Sequence, residues 1–185
     1  MADEPLALDA VKANLRVDVV DDDGLIQDLI VTAREYVEGE TGLVLVPRIV
    51  TETAREFGRW IDLASWPVTS IVAVRYPAAG IMTTLAPAAY QVSLARRPIR
   101  VMPTAWAWGG IVFSSRAATL PIEIDVQAGY PTPVDVPMRA KQAMHLLIAH
   151  WYDNRAAVEA GVRAAAVEIP FGVGRLLDQL RMRRV

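Results

Sequence analysis

VQAGYPTPVDVPMRAKQAMHLLIAHWYDN, residues 126–154, changes texture halfway. The run Ile122 to Gln127 that leads into it is short and rich in β-branched residues, which reads as a strand. Gly129-Tyr130-Pro131-Thr132-Pro133 then turns the chain, and Asp135 and Pro137 stand where a helix begins, Pro in the first turn costing no hydrogen bond. A helix is expected from about Pro137 to Asn154. Its Met138, Ala140, Ala143, Met144, Leu146, Leu147, Ile148, Ala149, Trp151 and Tyr152 cover most of its circumference, so it should be buried among several neighbours or at a subunit contact.

Toward the N-terminus the strand texture continues back to Pro47. Arg48 to Arg55, Val68 to Tyr76 and Gly110 to Phe113 read as further strands, and Pro67, Pro77, Pro87, Pro98, Pro103 and Pro121 fall between such runs or at their ends, where a missing amide donor is tolerated. Before Pro47 the texture is helical. Leu8 to Leu15 places Leu8, Val11 and Leu15 on one face, and Asp21-Asp22-Asp23 precedes a longer helix in which Leu25, Ile26, Leu29, Ile30, Ala33, Tyr36 and Val37 repeat with helical period and which Gly39 and Gly42 stop. Asp21 or Asp22 should cap that helix, Asp23 should favour its dipole, and Leu25, Leu29 and Tyr36 should pack inside the subunit. Gln27, Asp28, Arg34, Glu35 and Glu38 form the opposite, wet face. Beyond residue 154 a linker through Ala164-Ala165-Ala166 and Ile169-Pro170-Phe171-Gly172 leads to a last helix, Val173 to Arg183, with Leu176, Leu177 and Leu180 on one face. The expected fold is α+β: one domain over 1–185, with an α-helical bundle core from 6–46 and 131–185 and a small antiparallel β-sheet subdomain inserted at 47–130.

A chain of 185 residues can bury about 70% of its unfolded surface in one core. Its hydrophobic fraction is 53% and it has no cysteine, which removes disulfides, thiolate catalysis and sulfur-bound zinc. No stretch approaches the roughly 18 to 20 apolar residues of a membrane span. MADEPLALDAVKANL sets acids and a proline ahead of any apolar run, so a secretory signal is not expected and the cytosol is the expected compartment. A net charge of -2, from 19 basic and 21 acidic residues, argues against a protein whose task is to grip phosphates.

Searches for chemistry return little. If Gly24 were the sixth position of a calcium loop, positions one and twelve would be Val19 and Ile30, which carry no ligand oxygen. His145 and His150 are five apart, not four, and Leu146 stands where a zinc protease has glutamate. Phe171-Gly172-Val173-Gly174-Arg175 lacks the Lys and Ser or Thr of a phosphate loop, and no Gly-x-Ser-x-Gly elbow occurs. No catalytic residue, cofactor or metal is therefore assigned. Two basic clusters, Arg96, Arg97 and Arg100 around Pro98 and Arg181, Arg183 and Arg184 at the C-terminus, could meet nucleic acid or simply be solvated. Trp106 and Trp108 suit packing or an interface better than base stacking.

Four stretches, taken in order, resemble the head-tail connector, or adaptor, proteins of long-tailed bacteriophages, prophages and gene transfer agents: LDAVKANLRVD (8–18), DDDGLIQDLIVTAREYVEGETG (21–42), the segment from Val126 to Val158, and VEIPFGVGRLLDQLR (167–181). WPVTSIVAVRY (66–76) adds a weaker fifth, and 81–120 shows no family pattern. The resemblance implies a structural protein in the virion neck, assembled in the bacterial host cytoplasm, that is not an enzyme. It implies a homo-oligomeric ring, usually of twelve, beneath the portal protein. Such a ring extends the DNA channel without gripping the double-stranded DNA in its lumen, and offers a platform to stopper or tail-completion proteins. It further suggests a tail that contacts the portal, with Phe171, Leu176, Leu177, Leu180, Arg181, Arg183 and Arg184 as candidates. Arg96, Arg97, Arg100, Trp106 and Trp108 are candidates for channel or neighbour contacts on the residue reading alone. A stopper or tail-completion protein, and a DNA-binding packaging factor, are the alternatives.

Overall fold

The computed structural model describes residues 3–78, 81–104, 122–154 and 171–181. They fall into two compact units: Met1–Val46 with Tyr130–Val185, and Pro47–Gly129. The expected strands at Gly110 to Phe113 and the tryptophans at 106 and 108 lie outside the described residues.

The first unit is helical: α1 (Leu8–Leu15), α2 (Asp23–Thr41), α3 (Met138–Asp153) and α4 (Phe171–Asp178). The core of α2 is the row Ile26, Ile30, Ala33, Val37 and Thr41, at helical spacing. The expected apolar run contains this row except Thr41, but not every residue of that run is buried. Leu25 is exposed, and Leu29 and Tyr36 are half-buried, Tyr36 standing edge-on to Trp151 with ring centroids 6.3 Å apart. Two neighbouring stripes were each compatible with the period, and packing against α3 selects the second. In α3 the fully buried residues are Ala140, Ala143, Met144, Leu147 and Ile148, while Leu146, Ala149, Trp151 and Tyr152 are half-buried and Met138 is exposed.

The ends of these helices differ from expectation in instructive ways. Asp22 occupies the cap position of α2, but its side chain makes no cap bond and accepts the Tyr152 hydroxyl from α3. Asp23 pairs with Lys12 of α1 at 2.5 Å. Gly39 lies inside the helix, and Gly42 alone ends it, in the left-handed conformation at φ 70 that glycine tolerates without a Cβ clash. Nor is the polar face uniformly wet: Glu38 is buried, receiving Arg34 at 3.1 Å and the Leu45 N–H at 2.6 Å, and Arg34 also holds Glu4 at 3.0 Å. That carboxylate turns the chain out of α2 and carries Leu43, Val44 and Leu45 into the core. At the other end of the chain the last helix stops at Asp178 rather than Arg183.

The second unit bears the expected antiparallel strand pairing, arranged among the described residues as two sheets. The larger has the order β1 (Arg48–Ala54), β7 (Ile122–Ala128), β3 (Val68–Ala78), β4 (Ile81–Thr84), and the smaller β2 (Ile61–Leu63), β6 (Ile99–Pro103), β5 (Tyr90–Ser93). Strand β7 is central. Its Ile122, Ile124, Val126 and Ala128 are buried and its Glu123, Asp125 and Gln127 face the other way, the period of two that places one face on a core. Ile61, Leu63, Ile99 and Val101 do the same for the smaller sheet. Glu52 of β1 ties the two together by accepting the N–H groups of Ala64 and Ser65, both at 2.8 Å. Pro77 lies inside β3 opposite Met82, not between strands; among the described residues the pairing with β7 stops at Arg75, so no bond to that strand is lost.

Candidate functional site

The C-terminal helix α4 turns Val173 and Leu177 inward, at 0% and 1% exposure, and leaves Leu176 and Leu180 half-buried. Of the expected tail face, then, Leu177 belongs to the subunit core. Arg181 donates to the Glu40 carbonyl at 2.8 Å, to the Glu40 carboxylate, and to Asp178 at 2.9 Å. Its positive charge thus sits at the C-terminal end of α2, where it also satisfies a carbonyl of that end. Burial raises the Tyr36 hydroxyl pKa, Glu40 raises it further and Arg181 opposes the shift. Phe171 starts the helix, and Arg183 and Arg184 lie outside the described residues.

In the smaller sheet, register places Asp62 opposite Arg100, and this pairing decides what Arg100 does. Its Nε donates to Asp62 at 2.7 Å and its guanidinium lies 4.3 Å from the centroid of Trp60, whose Nε1 donates to the same carboxylate at 3.2 Å. Arg59 approaches the Trp60 ring at 5.3 Å. Cation–π contacts of this kind contribute about 0.5–1 kcal/mol at exposed sites. Arg100, a candidate for channel or neighbour contacts, is thus ion-paired and stacked within the chain, while Arg96 is exposed. Trp60 was missed by sequence reasoning, because its partner is 40 positions away and only strand register joins them.

A second unexpected cluster crosses the larger sheet on its polar face. Arg75 of β3 forms a two-pronged pair with Asp125 of β7, at 2.6 and 3.0 Å, and its Nε reaches Glu123 at 3.1 Å. Thr51 of β1 donates to Asp125 at 2.7 Å. The Arg75 hydrogen bonds hold the Asp125 carboxyl below its ordinary 3.8, outweighing the opposing effect of burial. A depressed folded-state pKa gives stability that is complete above the unfolded value and is lost as pH falls through the folded one. Thermal melts of the native chain between pH 6 and pH 2 should therefore lose stability below about pH 4. In Asp125→Asn that acid-side fall should be shallower; an identical fall would deny the pair any role.

His145 is half-buried and desolvation lowers its pKa. Its Nδ1 and the Nε2 of His150 are buried without a hydrogen-bond partner among the described residues. Among those residues no three His, Asp or Glu side chains cluster as metal ligands, and no helix is long and apolar enough to cross a membrane.

Against known proteins, the model of the phage gp6-like head-tail connector protein family matches residues 6–65, which takes in α1, α2, β1 and β2. Solved structures match along the whole chain. A chain in the neck of an empty gene transfer agent particle, computed with six-fold symmetry, is 26% identical with a TM-score of 0.68. A chain in the neck of a native particle, computed with twelve-fold symmetry, is 27% identical with a TM-score of 0.61. A chain of the virion of a native gene transfer agent, 24% identical with a TM-score of 0.69, shares the fold. Each match covers 100% of this chain and 97% of the other. A search of curated proteins finds no match.

Proposed function

We propose that this chain is a head-tail connector whose copies close into a ring of twelve under the portal, extend the DNA channel and carry the stopper or tail-completion proteins. A structural role in the neck, between head and tail, is supported by the connector family match and by the neck structures. The observation that carries the reading is the likeness over the full length of chains found in necks, helical unit and inserted sheets together. The number twelve draws support from a similar chain in a neck computed with twelve-fold symmetry.

The residues fit the role physically. A connector needs rigid subunits with apolar area left for neighbours, and α3 keeps Leu146, Ala149, Trp151 and Tyr152 half-covered in the single chain. DNA that must slide should not be held by many cations. The net charge of -2 and the capture of Arg100 by Asp62 and Trp60 both suit a lumen that lets the duplex pass. They also weigh against the packaging-factor alternative. For the portal, the candidates in the tail are the half-buried Leu176 and Leu180 and the exposed Arg181, with Phe171 at the start of the helix and, by sequence alone, Arg183 and Arg184.

Electron microscopy of particles made when the reading frame is stopped at Tyr36 tests the reading. Full heads and free tails that fail to join, rejoined by a complementing copy, are the expected result; normal tailed particles would reject it. A copy carrying Leu176→Glu and Leu180→Glu should fold, since neither side chain is fully buried, yet fail to complement. Complementation by that copy would remove the tail from the portal contact.

A further inference from the structure

Apart from Val31 on α2, the large apolar side chains that the described residues of the helical unit expose lie at two separate places. Around the α1–α2 turn, Val19 is 55% exposed, Val20 73% and Leu25 39%; at the start of α3, Val134 is 85% exposed and Met138 73%. Both places are rigid. In the first, Lys12 donates to the Val19 carbonyl at 3.0 Å and to Asp23 at 2.5 Å, the Asp23 N–H bonds the Val20 carbonyl at 3.0 Å, and Tyr152 holds Asp22. In the second, the Thr132 N–H and hydroxyl both donate to Asp135, at 3.1 and 2.8 Å, closing the single turn Pro133–Asp135 that presents Val134. Apolar side chains held in water by well-bonded backbone mark an interaction surface better than fraying does.

The two places differ in charge. The first is rimmed by Asp18, Asp21 and Asp28 against the one exposed cation Arg16, and the second by Arg139 and Lys141 against Asp135, so the first is acidic on balance and the second basic; none of these seven forms an ion pair among the described residues. Met138 and Lys141 are three apart on α3 and so share one side of that helix, while Val134 stands on the single turn that leads into it. Helix α3 separates the two places: Tyr152 near its C-terminal end reaches Asp22, and Met138 begins it, 14 residues or about 21 Å away along the axis.

We infer that the acidic apolar turn of one copy, Val19, Val20 and Leu25, seats against Val134, Met138 and Lys141 of the next copy. The inference rests on the connector reading and assigns the surfaces by which copies join. Each surface has an apolar centre and a charged rim, and the rims have opposite sign. Pairing the turn with itself would bring acids against acids, so contact between like surfaces is disfavoured. A contact between two different surfaces, repeated around an axis, is the kind that closes a ring.

Because the native chain has no cysteine, thiols can be placed without interference. Particles containing Val20→Cys/Met138→Cys, treated with a short flexible bismaleimide and run on a denaturing gel, should give a ladder in multiples of the 20.3 kDa chain. Either single variant should not, nor should Thr32→Cys/Met138→Cys. Adding Asp21→Lys to the double-cysteine chain should cut the ladder about tenfold, and adding Lys141→Glu as well should restore it. Incorporated chain whose thiols react with a monofunctional maleimide yet give no ladder would overturn the assigned contact and leave the connector reading standing. A product of Val20→Cys alone with a protein of another size would also overturn it, by giving the turn a different partner. Absence of the unaltered chain from purified particles would instead defeat the connector reading, and this inference with it.

Discussion

Glu38→Ala is expected to cost about 3 kcal/mol of folding stability, a large share of the roughly 5–15 kcal/mol available to a domain. The Glu38 side chain is 8% exposed and does two things at once. One oxygen accepts the Leu45 N–H at 2.6 Å, which the buried turn after α2 offers to no other acceptor named in this structure, and the other takes Arg34 at 3.1 Å. Truncation leaves a buried amide without its acceptor and a guanidinium, itself 14% exposed, without the most buried of its carboxylate partners. Glu4 at 3.0 Å and the exposed Glu35 at 3.7 Å remain to it. For a chain of this size each kcal/mol shifts the melting temperature by about 2–4 °C, so the fall should be about 6–12 °C. Glu38→Gln keeps an acceptor for Leu45 and loses only the charge, and its fall should be about half as large. Calorimetry of the three proteins checks this; equal melting temperatures would show that the carboxylate does not anchor the exit from α2.

The misreading of Glu38 as solvent-facing marks where sequence reading stops. Periodicity located α1, α2 and α3 to within a residue or two at most ends, because an amphipathic helix writes its own pattern. The apolar run from Leu25 to Val37 holds two adjacent stripes, and periodicity does not say that the one starting at Ile26 is buried and Leu25 exposed, since adjacent stripes overlap on a helix and only the neighbour's shape separates them. A glutamate inside the polar stripe carries no sign that the chain will fold back over it. Gly39 and Gly42 illustrate the same limit: both are plausible stops, and only the left-handed turn at Gly42 shows which one ends the helix. In the sheet unit the seven-residue strands β1 and β7 were legible, whereas β2, of three residues, and β4 and β5, of four, are too short to show alternation.

The candidate surfaces were less legible than the elements that bear them. The connector likeness came from ordered stretches in the helical unit and its C-terminal tail, and the family match over 6–65 falls on the first two of them. Arg100, however, looked like a free cation because its partners, Asp62 and Trp60, are brought to it by the β2–β6 register. Leu177 looked like part of an outward face because α4 is short, and one residue of rotation decides whether Leu176 or Leu177 points inward. Long-range pairing and the rotation of short helices are tertiary facts, which local pattern does not encode.

Ile124→Asp is expected to have a still larger effect, because β7 stands between β1 and β3 and Ile124 is 0% exposed at the middle of it. Its cross-strand neighbours are Glu52 on one side and Val74 on the other. A carboxylate there gains no cation and lies beside an existing carboxylate that already binds Ala64 and Ser65, so it must be buried unpaired or be expelled with the strand. Burying such a group costs several kcal/mol, about 4 or more, enough to unfold the sheet unit under mild denaturant. Ile49 provides the internal comparison. It pairs with Gln127 on the opposite face of the same strands and is 58% exposed, so Ile49→Asp should cost about 1 kcal/mol or less, mostly through the poor strand propensity of aspartate. Urea denaturation followed by circular dichroism separates the two. A reversed order, with Ile49→Asp the more damaging, would mean that β1 and β7 present the other face to the core, since a slip of one residue exchanges every side chain across the sheet. The Arg75–Asp125–Thr51 bridge would then be buried with its charges, a far costlier arrangement, and for that reason the polar cross-strand cluster and the buried row of β7 specify the same register independently.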